Sequence, residues 1–177
     1  MMFHTHSIFI QFFLNFQIFE SFFQRKFYSF SFISLLKMLV IPLSSLPLKR
    51  QNLLAKSPLN PPMYALIEGH HYDIELNVIF YNIQIGIQKG EDVICSMIKL
   101  RYSELEKFQK TLIGSFPDLD LLYKFPPKKW FNNTSETFIL EREKGLQTFL
   151  SSVFAVPSIT ETDSFKSLFK IKRRINP

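Results

Sequence analysis

The chain has 177 residues, which is enough for one domain with a substantial core and short for two. Its 21 Lys and Arg exceed its 15 Asp and Glu, giving a net charge of +6, but six of the cations and only one acid precede Met63. The nearly neutral remainder argues against a general nucleic-acid binder, which needs a broad basic face. A local basic pocket for one or two phosphates is compatible with this charge. The single cysteine, Cys95, excludes an intrachain disulfide.

Phe dominates the first 41 residues, which carry few charges. The longest apolar runs, Ile8–Phe19 and Phe27–Ile41, are shorter than the roughly 20 apolar residues that a membrane-spanning helix needs. Two cations precede the second run, as in a secretory signal, but they lie late in the chain for one. Three interpretations are open: a membrane anchor or signal, a poorly ordered peripheral extension, or an artefact of start-site choice with Met38 and Met63 as alternative starts. We favour the last two.

Residues 42–62 contain five prolines and three serines. Because proline lacks a backbone N–H and fixes its own φ, this density disfavours a continuous helix or a central strand. The segment is therefore predicted to be a linker, and the domain boundary is placed near Met63. In this interpretation residues 1–62 form an N-terminal extension, and residues 63–177 form the folded domain.

Three runs of strand-forming residues follow this boundary. Val78–Ile87 alternates apolar and polar positions, which predicts a strand with one buried face. A shorter run, Tyr72–Leu76, is a candidate strand before it, and Asp92–Tyr102 is apolar almost throughout, as in a strand covered on both faces. Gly90 lies in the turn between the last two runs and can take a positive φ. The pattern predicts a three-stranded antiparallel meander.

Helical patterns occupy most of the remaining chain. Ser103 is expected to cap a helix that ends near Gly114, a longer helix runs from about residue 135 to 154, and a last one from about residue 161 to 171. The loop between the first two helices contains Pro126-Pro127, which holds its second half extended. The predicted fold class is α+β, with a three-stranded antiparallel sheet packed against a helical subdomain with a proline-rich loop.

Arg101 ends the last strand directly before a helix N-terminus. Free N–H groups and a partial positive charge at the helix start, combined with a guanidinium fork, suit a phosphate monoester. Tyr102 offers a ring face to a ligand, although plain core packing explains it equally well. Lys128 and Lys129 follow two prolines that preorganise their backbone. The alternative for these lysines is that they are solvated loop charges.

Arg142 lies three residues after Ile139 and four before Leu146, on the apolar stripe of the long helix. A cation there must be paired or lie at a pocket mouth, because burial of an unpaired charge is costly. The alternative is a salt bridge to a carboxylate such as Glu104 or Asp118. Cations from three separate elements that converge on one point form an anion site, so the sequence predicts phosphate recognition without catalysis.

Three motifs carry these cations: RYSE from Arg101, FPPKK from Phe125 and FILEREKGLQTFL from Phe138. In order and spacing they resemble the PX (phox homology) family, the phosphoinositide-binding domains found in sorting nexins. Each motif alone is weak, but the three in order, within three strands and three helices, form a strong pattern. The resemblance extends from about residue 72 to residue 171.

The resemblance implies recognition of a lipid headgroup, most often that of phosphatidylinositol 3-phosphate. Arg101 would then hold the 3-phosphate, and Tyr102 would stack under the inositol ring. Lys128 would meet the 1-phosphate, with Lys129 as the other candidate. Arg142 would bond the ring hydroxyls at positions 4 and 5.

Trp130 and Phe131 fall where the membrane-attachment loop of the family begins, and amphipathic aromatic side chains suit the bilayer interface. They are the predicted membrane contacts. Two positions depart from the family pattern. Leu105 stands where Phe is usual, and Glu143 replaces a frequent basic residue, which lowers the local positive field.

The function implied by the resemblance is peripheral binding, from the cytoplasm, to phosphoinositide in endosomal membranes during protein sorting, with other trafficking proteins as further partners. The alternative is a PX-like protein-interaction module that does not bind lipid. An enzyme is not expected, since no nucleophile–base arrangement is present, and no cofactor or nucleic acid is predicted. No metal site is predicted either, because His70 and His71 point to opposite faces of a strand.

Overall fold

The computed structural model describes residues 38–128 and 135–171, so the predictions for residues 1–37 lie outside the described residues. The described residues belong to one compact unit. Its strands and helices are β1 Leu39–Pro42, α1 Leu48–Ala55, β2 Met63–Asp73, β3 Val78–Lys89, β4 Asp92–Arg101, α2 Tyr102–Ser115, α3 Glu136–Val153, α4 Pro157–Thr160 and α5 Asp163–Leu168. Short 3-10 turns lie at Leu43–Ser45 and Asp120–Tyr123.

The sheet is antiparallel and has the strand order β1-β4-β3-β2. The predicted meander is present as β2, β3 and β4, but the prediction of three strands is wrong, because β1 adds a fourth strand beside β4. In β3 the apolar positions Tyr81, Ile83 and Ile85 are buried on one face, as the alternation predicts. The α+β class with a helical subdomain is confirmed.

The first strand of the meander lies earlier than predicted. β2 begins at Met63, and the four residues from Ile74 to Asn77 form the turn into β3 rather than a strand. Asn77 has a φ of 52°, and its side chain accepts a hydrogen bond from the Tyr72 hydroxyl at 2.5 Å. The sequence pattern does not identify β2 as one long strand, because only the first half of this edge strand is buried and its second half is largely polar.

The proline-rich segment is not a linker. β1 pairs with β4, α1 packs near β2, and both contribute to a second hydrophobic cluster on the outer face of the sheet. The prolines avoid the interior of these elements. Pro42 ends the edge strand β1, and Pro47 precedes the first helical residue of α1, where a missing N–H costs little. The start of the independently folding domain therefore stays a prediction, which truncation of the chain would test.

Strand β4 is covered on both faces only in its first half. Val93 and Cys95 face the second cluster, whereas Ile98 and Leu100 face the main core. Met97, on the outer face beyond the reach of α1, is 46% exposed. Both faces of β4 are apolar near its start because β1 and α1 cover the outer face there.

The main core lies between the inner face of the sheet and the helices. A group of four aromatic rings joins α2 to the C-terminal end, with centroids 4.7–6.4 Å apart: Phe108, Phe154, Phe165 and Phe169. The predicted last helix corresponds to α5, which Thr162 caps by accepting a hydrogen bond from the Phe165 N–H at 3.2 Å. The short helix α4 lies before it and was not predicted. These contacts fix α2 and α3 as the walls of the site described next.

Candidate functional site

The site begins where β4 runs directly into α2. Tyr102 is the first residue of the helix and Arg101 is its N-cap, so the prediction that Ser103 caps the helix is wrong. Glu104 supports the cap instead, since its carboxylate accepts a hydrogen bond from the Arg101 N–H at 2.7 Å. Arg101 also lies 3.9 Å from Glu104, but both side chains are more than 40% exposed. Such a contact contributes little and leaves the guanidinium accessible.

Tyr102 connects α2 to the proline-rich loop. Its hydroxyl donates a hydrogen bond to the carbonyl of Pro126 at 2.8 Å, and its ring lies 5.3 Å from the ring of Phe125. Burial, together with the negative charge of Glu106, raises the pKa of Tyr102. The hydroxyl therefore stays protonated at neutral pH and keeps its donor role.

The same loop is seated on α3. A Cβ atom on Gly145 would lie 2.9 Å from the Cβ of Pro126, so the helix has glycine where the loop approaches most closely. One turn further along α3, Phe149 makes an edge contact with Phe125 at 4.9 Å between centroids. The loop is thus held between two helices, and Lys128 follows Pro126 by two residues.

Arg142 is buried between two aromatic rings. Only 8% of the residue is exposed, and its Cζ lies 4.4 Å from the ring centroid of Tyr102 and 4.2 Å from that of Phe138. Over residues 38–128 and 135–171 no carboxylate forms an ion pair with Arg142, so the alternative of a salt bridge to Glu104 or Asp118 is wrong. The rings offset part of the cost of burying this charge through cation–π attraction.

Tyr81 lies beside Arg142 and was not expected there. It is fully buried in β3, opposite Leu100 in the register of the sheet. Burial raises the pKa of the Tyr81 hydroxyl, and the positive charge of the nearby Arg142 opposes that rise. The sequence does contain one signal, since Tyr81 is the only hydroxyl among the isoleucines on the inward face of β3.

Polar contacts to the edge strand hold α3 in place. The side chain of Gln147 accepts a hydrogen bond from the Ile67 N–H at 2.7 Å and donates one to the Ala65 carbonyl at 3.1 Å. Glu143 lies one turn earlier and contacts His70 Nδ1 at 2.9 Å. These bonds surround the irregularity in β2 between Ile67 and Gly69. They fix the register of α3, and with it the position of Arg142.

The structure brings part of the predicted set together. Tyr102 and Arg142 are in contact, and Arg101 adjoins them as the N-cap of α2. Lys128 is exposed near the end of the described loop. Three further predicted positions, Lys129, Trp130 and Phe131, lie outside the described residues.

Comparison with known proteins identifies the family. Residues 88–172 match the family model of the PX domain. The chain contains a PX domain. A designed CISK-PX domain of known structure has the same fold, with a TM-score of 0.50 and 21% identity over 59% of this chain and 95% of that one. The mouse SNX19 PX domain with bound sulphate ion gives a TM-score of 0.43 and 17% identity over 63% of this chain and 100% of that one.

A curated relative matches a shorter stretch of the chain. Kinesin-like protein KIF16B from Mus musculus is 39% identical over 62 residues, which are 35% of this chain. The match spans only 5% of that relative. PX domains as a class are non-enzymatic phosphoinositide-binding modules of membrane-trafficking proteins. Within the part of the chain that the structure describes, no helix is long and apolar enough to cross a bilayer.

Proposed function

We propose that this PX domain binds a phosphoinositide headgroup and so recruits the protein to endosomal membranes. The proposed lipid is phosphatidylinositol 3-phosphate. The observation that supports this most is the state of Arg142. Burial of a charged residue that is only 8% exposed and has no carboxylate partner within the described residues destabilises the fold. An anionic or hydroxyl-rich ligand that accepts its hydrogen bonds would explain why an arginine stands there.

The proposed roles follow the position of each side chain. Arg101, exposed at the start of α2, holds the 3-phosphate together with the helix N-terminus. Tyr102 lies under the inositol ring, and Arg142 bonds the hydroxyls at positions 4 and 5. Lys128 or Lys129 meets the 1-phosphate. Trp130 and Phe131 enter the bilayer interface.

The acidic residues around the site support a headgroup with a single ring phosphate. Glu104 lies beside Arg101, Glu106 acts on Tyr102, and Glu143 follows Arg142 in α3. Each carboxylate weakens the positive potential at short range. Additional phosphates at the 4 or 5 position would add negative charge where few cations are available to balance it.

One observation favours the alternative, a protein-interaction module without lipid binding. The edge strand β1 exposes Leu39 and Val40 by 53% and 59%, and Met97 is exposed on the neighbouring strand. Exposed apolar strand edges are sites where another chain can pair. This alternative does not explain why Arg142 is buried without a carboxylate.

Vesicle sedimentation with the full chain tests the proposal. The vesicles are phosphatidylcholine alone, or phosphatidylcholine with phosphatidylinositol, its 3-phosphate, its 4-phosphate or its 4,5-bisphosphate. We expect selective binding to the 3-phosphate vesicles. Equal binding to all phosphorylated lipids would indicate a nonspecific charge effect in place of headgroup recognition. A chain that binds none of the vesicles would favour the protein-interaction alternative.

A further inference from the structure

We infer that Tyr81 is a positioning residue of the headgroup site, whose hydroxyl accepts a hydrogen bond from Arg142 in the ligand-bound state and thereby directs the guanidinium toward the ligand. The inference rests on the proposed function. It assigns a role to a core residue that carries no charge and cannot reach the headgroup itself.

Tyr81 lies deep in the core. The residue is 0% exposed, in β3, with its side chain on the face that carries the main core. A group so deeply buried cannot contact a ligand that enters from the surface. Any influence of its hydroxyl on binding must therefore pass through a neighbouring side chain. The charged groups that act on this hydroxyl are Arg142 and, less strongly, Glu143, and Arg142 is the one assigned to the headgroup.

Two buried polar groups beside each other lack partners in the described part of the chain. The Tyr81 hydroxyl and the Arg142 Nε are both buried and near each other, yet neither has a hydrogen-bond partner of good geometry among the described residues. Buried polar groups are nearly always paired, because an unmade bond costs free energy. The two groups are complementary, since the Arg N–H donates and the hydroxyl oxygen accepts. A hydrogen bond between them would satisfy both.

The two aromatic rings beside Arg142 do not fix the direction of its N–H groups. Phe138 and Tyr102 hold the guanidinium by their ring faces, at 4.2 and 4.4 Å from Cζ. A ring face attracts a cation but has no lone pair that selects a particular N–H, so it leaves the in-plane orientation weakly fixed. A hydrogen bond to a hydroxyl at the base of the site removes this freedom. The remaining N–H donors then point toward the ligand.

For Tyr81→Phe we expect the headgroup affinity to fall without a loss of stability. The substitution deletes a hydroxyl that lacks a well-formed hydrogen bond in the free protein, so the melting temperature should be unchanged or higher. Headgroup affinity should fall roughly tenfold, the effect of one hydrogen bond to a charged group. A residue with a merely structural role would instead lower stability and leave the affinity of the folded protein intact.

Tyr64→Phe is the matched control. Tyr64 is buried on the opposite face of the same sheet, where its hydroxyl donates to Gln84 at 2.7 Å. Removal of this hydroxyl leaves the Gln84 oxygen without its donor. We therefore expect a lower melting temperature and unchanged headgroup affinity, which is the reverse of the Tyr81→Phe result.

The experiment is a double-mutant cycle on the full chain, with calorimetric titration of inositol 1,3-bisphosphate, the soluble headgroup, and thermal melts of each variant. We expect Tyr81→Phe to weaken binding in the wild-type background and to have no further effect on the residual affinity in an Arg142→Leu background. Wild-type affinity in Tyr81→Phe, equal losses in both backgrounds, or a melting temperature lowered by several degrees would each overturn the inference. Failure of the wild type to bind the headgroup would instead reject the proposed function, and the inference with it.

Discussion

The guanidinium of Arg142 lies 4.2 Å from the ring centre of Phe138, which is one turn earlier on the same helix. The spacing of four residues places both side chains on one face of α3, so the helix supplies the cation and one of its two aromatic walls. Tyr102 of α2 supplies the other wall. The buried charge is therefore held between ring faces, and its Nε has no hydrogen-bond partner among the described residues.

Arg101→Ala should abolish selective binding to 3-phosphate vesicles while the domain stays folded. Its side chain is 45% exposed and its only ion pair within the described residues is the long contact with Glu104, so the fold depends little on it. Loss of a charge-assisted pair to a phosphate should cost about 2–5 kcal/mol of affinity. Vesicle sedimentation and a thermal melt check both parts.

Lys89→Ala is the charge-matched control, because Lys89 is exposed at the far end of β3 from Arg101. It should bind like the wild type. If Arg101→Ala also retains wild-type binding while folded, the assignment of the 3-phosphate to Arg101 is wrong.

Gly145→Ala should disturb the proline-rich loop. Alanine favours a helix by up to about 1 kcal/mol over glycine, but the new Cβ would lie 2.9 Å from the Cβ of Pro126. Overpacking of this kind typically costs about 1–3 kcal/mol, so the free energy of unfolding should fall. Headgroup affinity should fall as well, because Pro126 accepts the hydrogen bond from Tyr102.

Gly114→Ala on α2 is the control for this change. No described atom outside its own stretch of helix lies within 4 Å of the place that a Cβ on Gly114 would occupy, so the helix preference should decide and stability should rise slightly. Denaturant unfolding of the two variants measures the difference. Equal stabilisation by both substitutions would show that the loop does not pack on α3 as described.

Gln147→Ala should lower the free energy of unfolding by about 1–3 kcal/mol, because it leaves the Ile67 N–H and the Ala65 carbonyl without their side-chain partner. Thr148→Ala on the next position of α3 is the control, since among the described residues the Thr148 hydroxyl bonds only a carbonyl of its own helix. Chemical denaturation compares the two. A Gln147→Ala variant as stable as Thr148→Ala would contradict the role of the edge-strand bonds.

Removal of residues 1–62 should destabilise the domain. It deletes β1 and α1, with the buried side chains of Leu46 and Leu54, and uncovers Val93 and Cys95. Burial of two leucines is worth about 3 kcal/mol or more, so a chain that starts at Met63 should melt earlier or aggregate. The reference is a chain that starts at Met38 and keeps β1 and α1. Equal stability of the two truncated chains would place the boundary at Met63 after all.

Much of the fold could be predicted from periodicity. The alternation in β3 identifies its buried face, and the stripe through Ile139, Arg142 and Leu146 places the cation inward, as the structure shows. These are local patterns whose period matches the geometry of the element. The PX motifs then gave the correct family and fold, and they lie at the start of α2, in the loop before α3 and along α3.

The rest depends on contacts between distant residues. Pro42 and Pro47 suggested a linker, since the sequence does not show that they occupy element ends. Nor does it show that the Tyr81 hydroxyl lies near Arg142, or that Gly145 accommodates Pro126, because these residues are separated by long stretches of chain. Such contacts are fixed by packing, and no periodicity reports them.

The most direct test of the central claim is the melting temperature of Arg142→Leu, measured with and without inositol 1,3-bisphosphate. Arg142 is buried without a carboxylate partner in the described chain, so an apolar side chain at this position should leave the melting temperature nearly unchanged. A ligand that binds only the folded state raises the melting temperature. The headgroup should therefore raise it clearly for the wild type and much less for Arg142→Leu, which keeps only a residual affinity. A melting temperature lowered by several degrees in Arg142→Leu, with the headgroup shift intact, would contradict the claim that Arg142 serves the ligand.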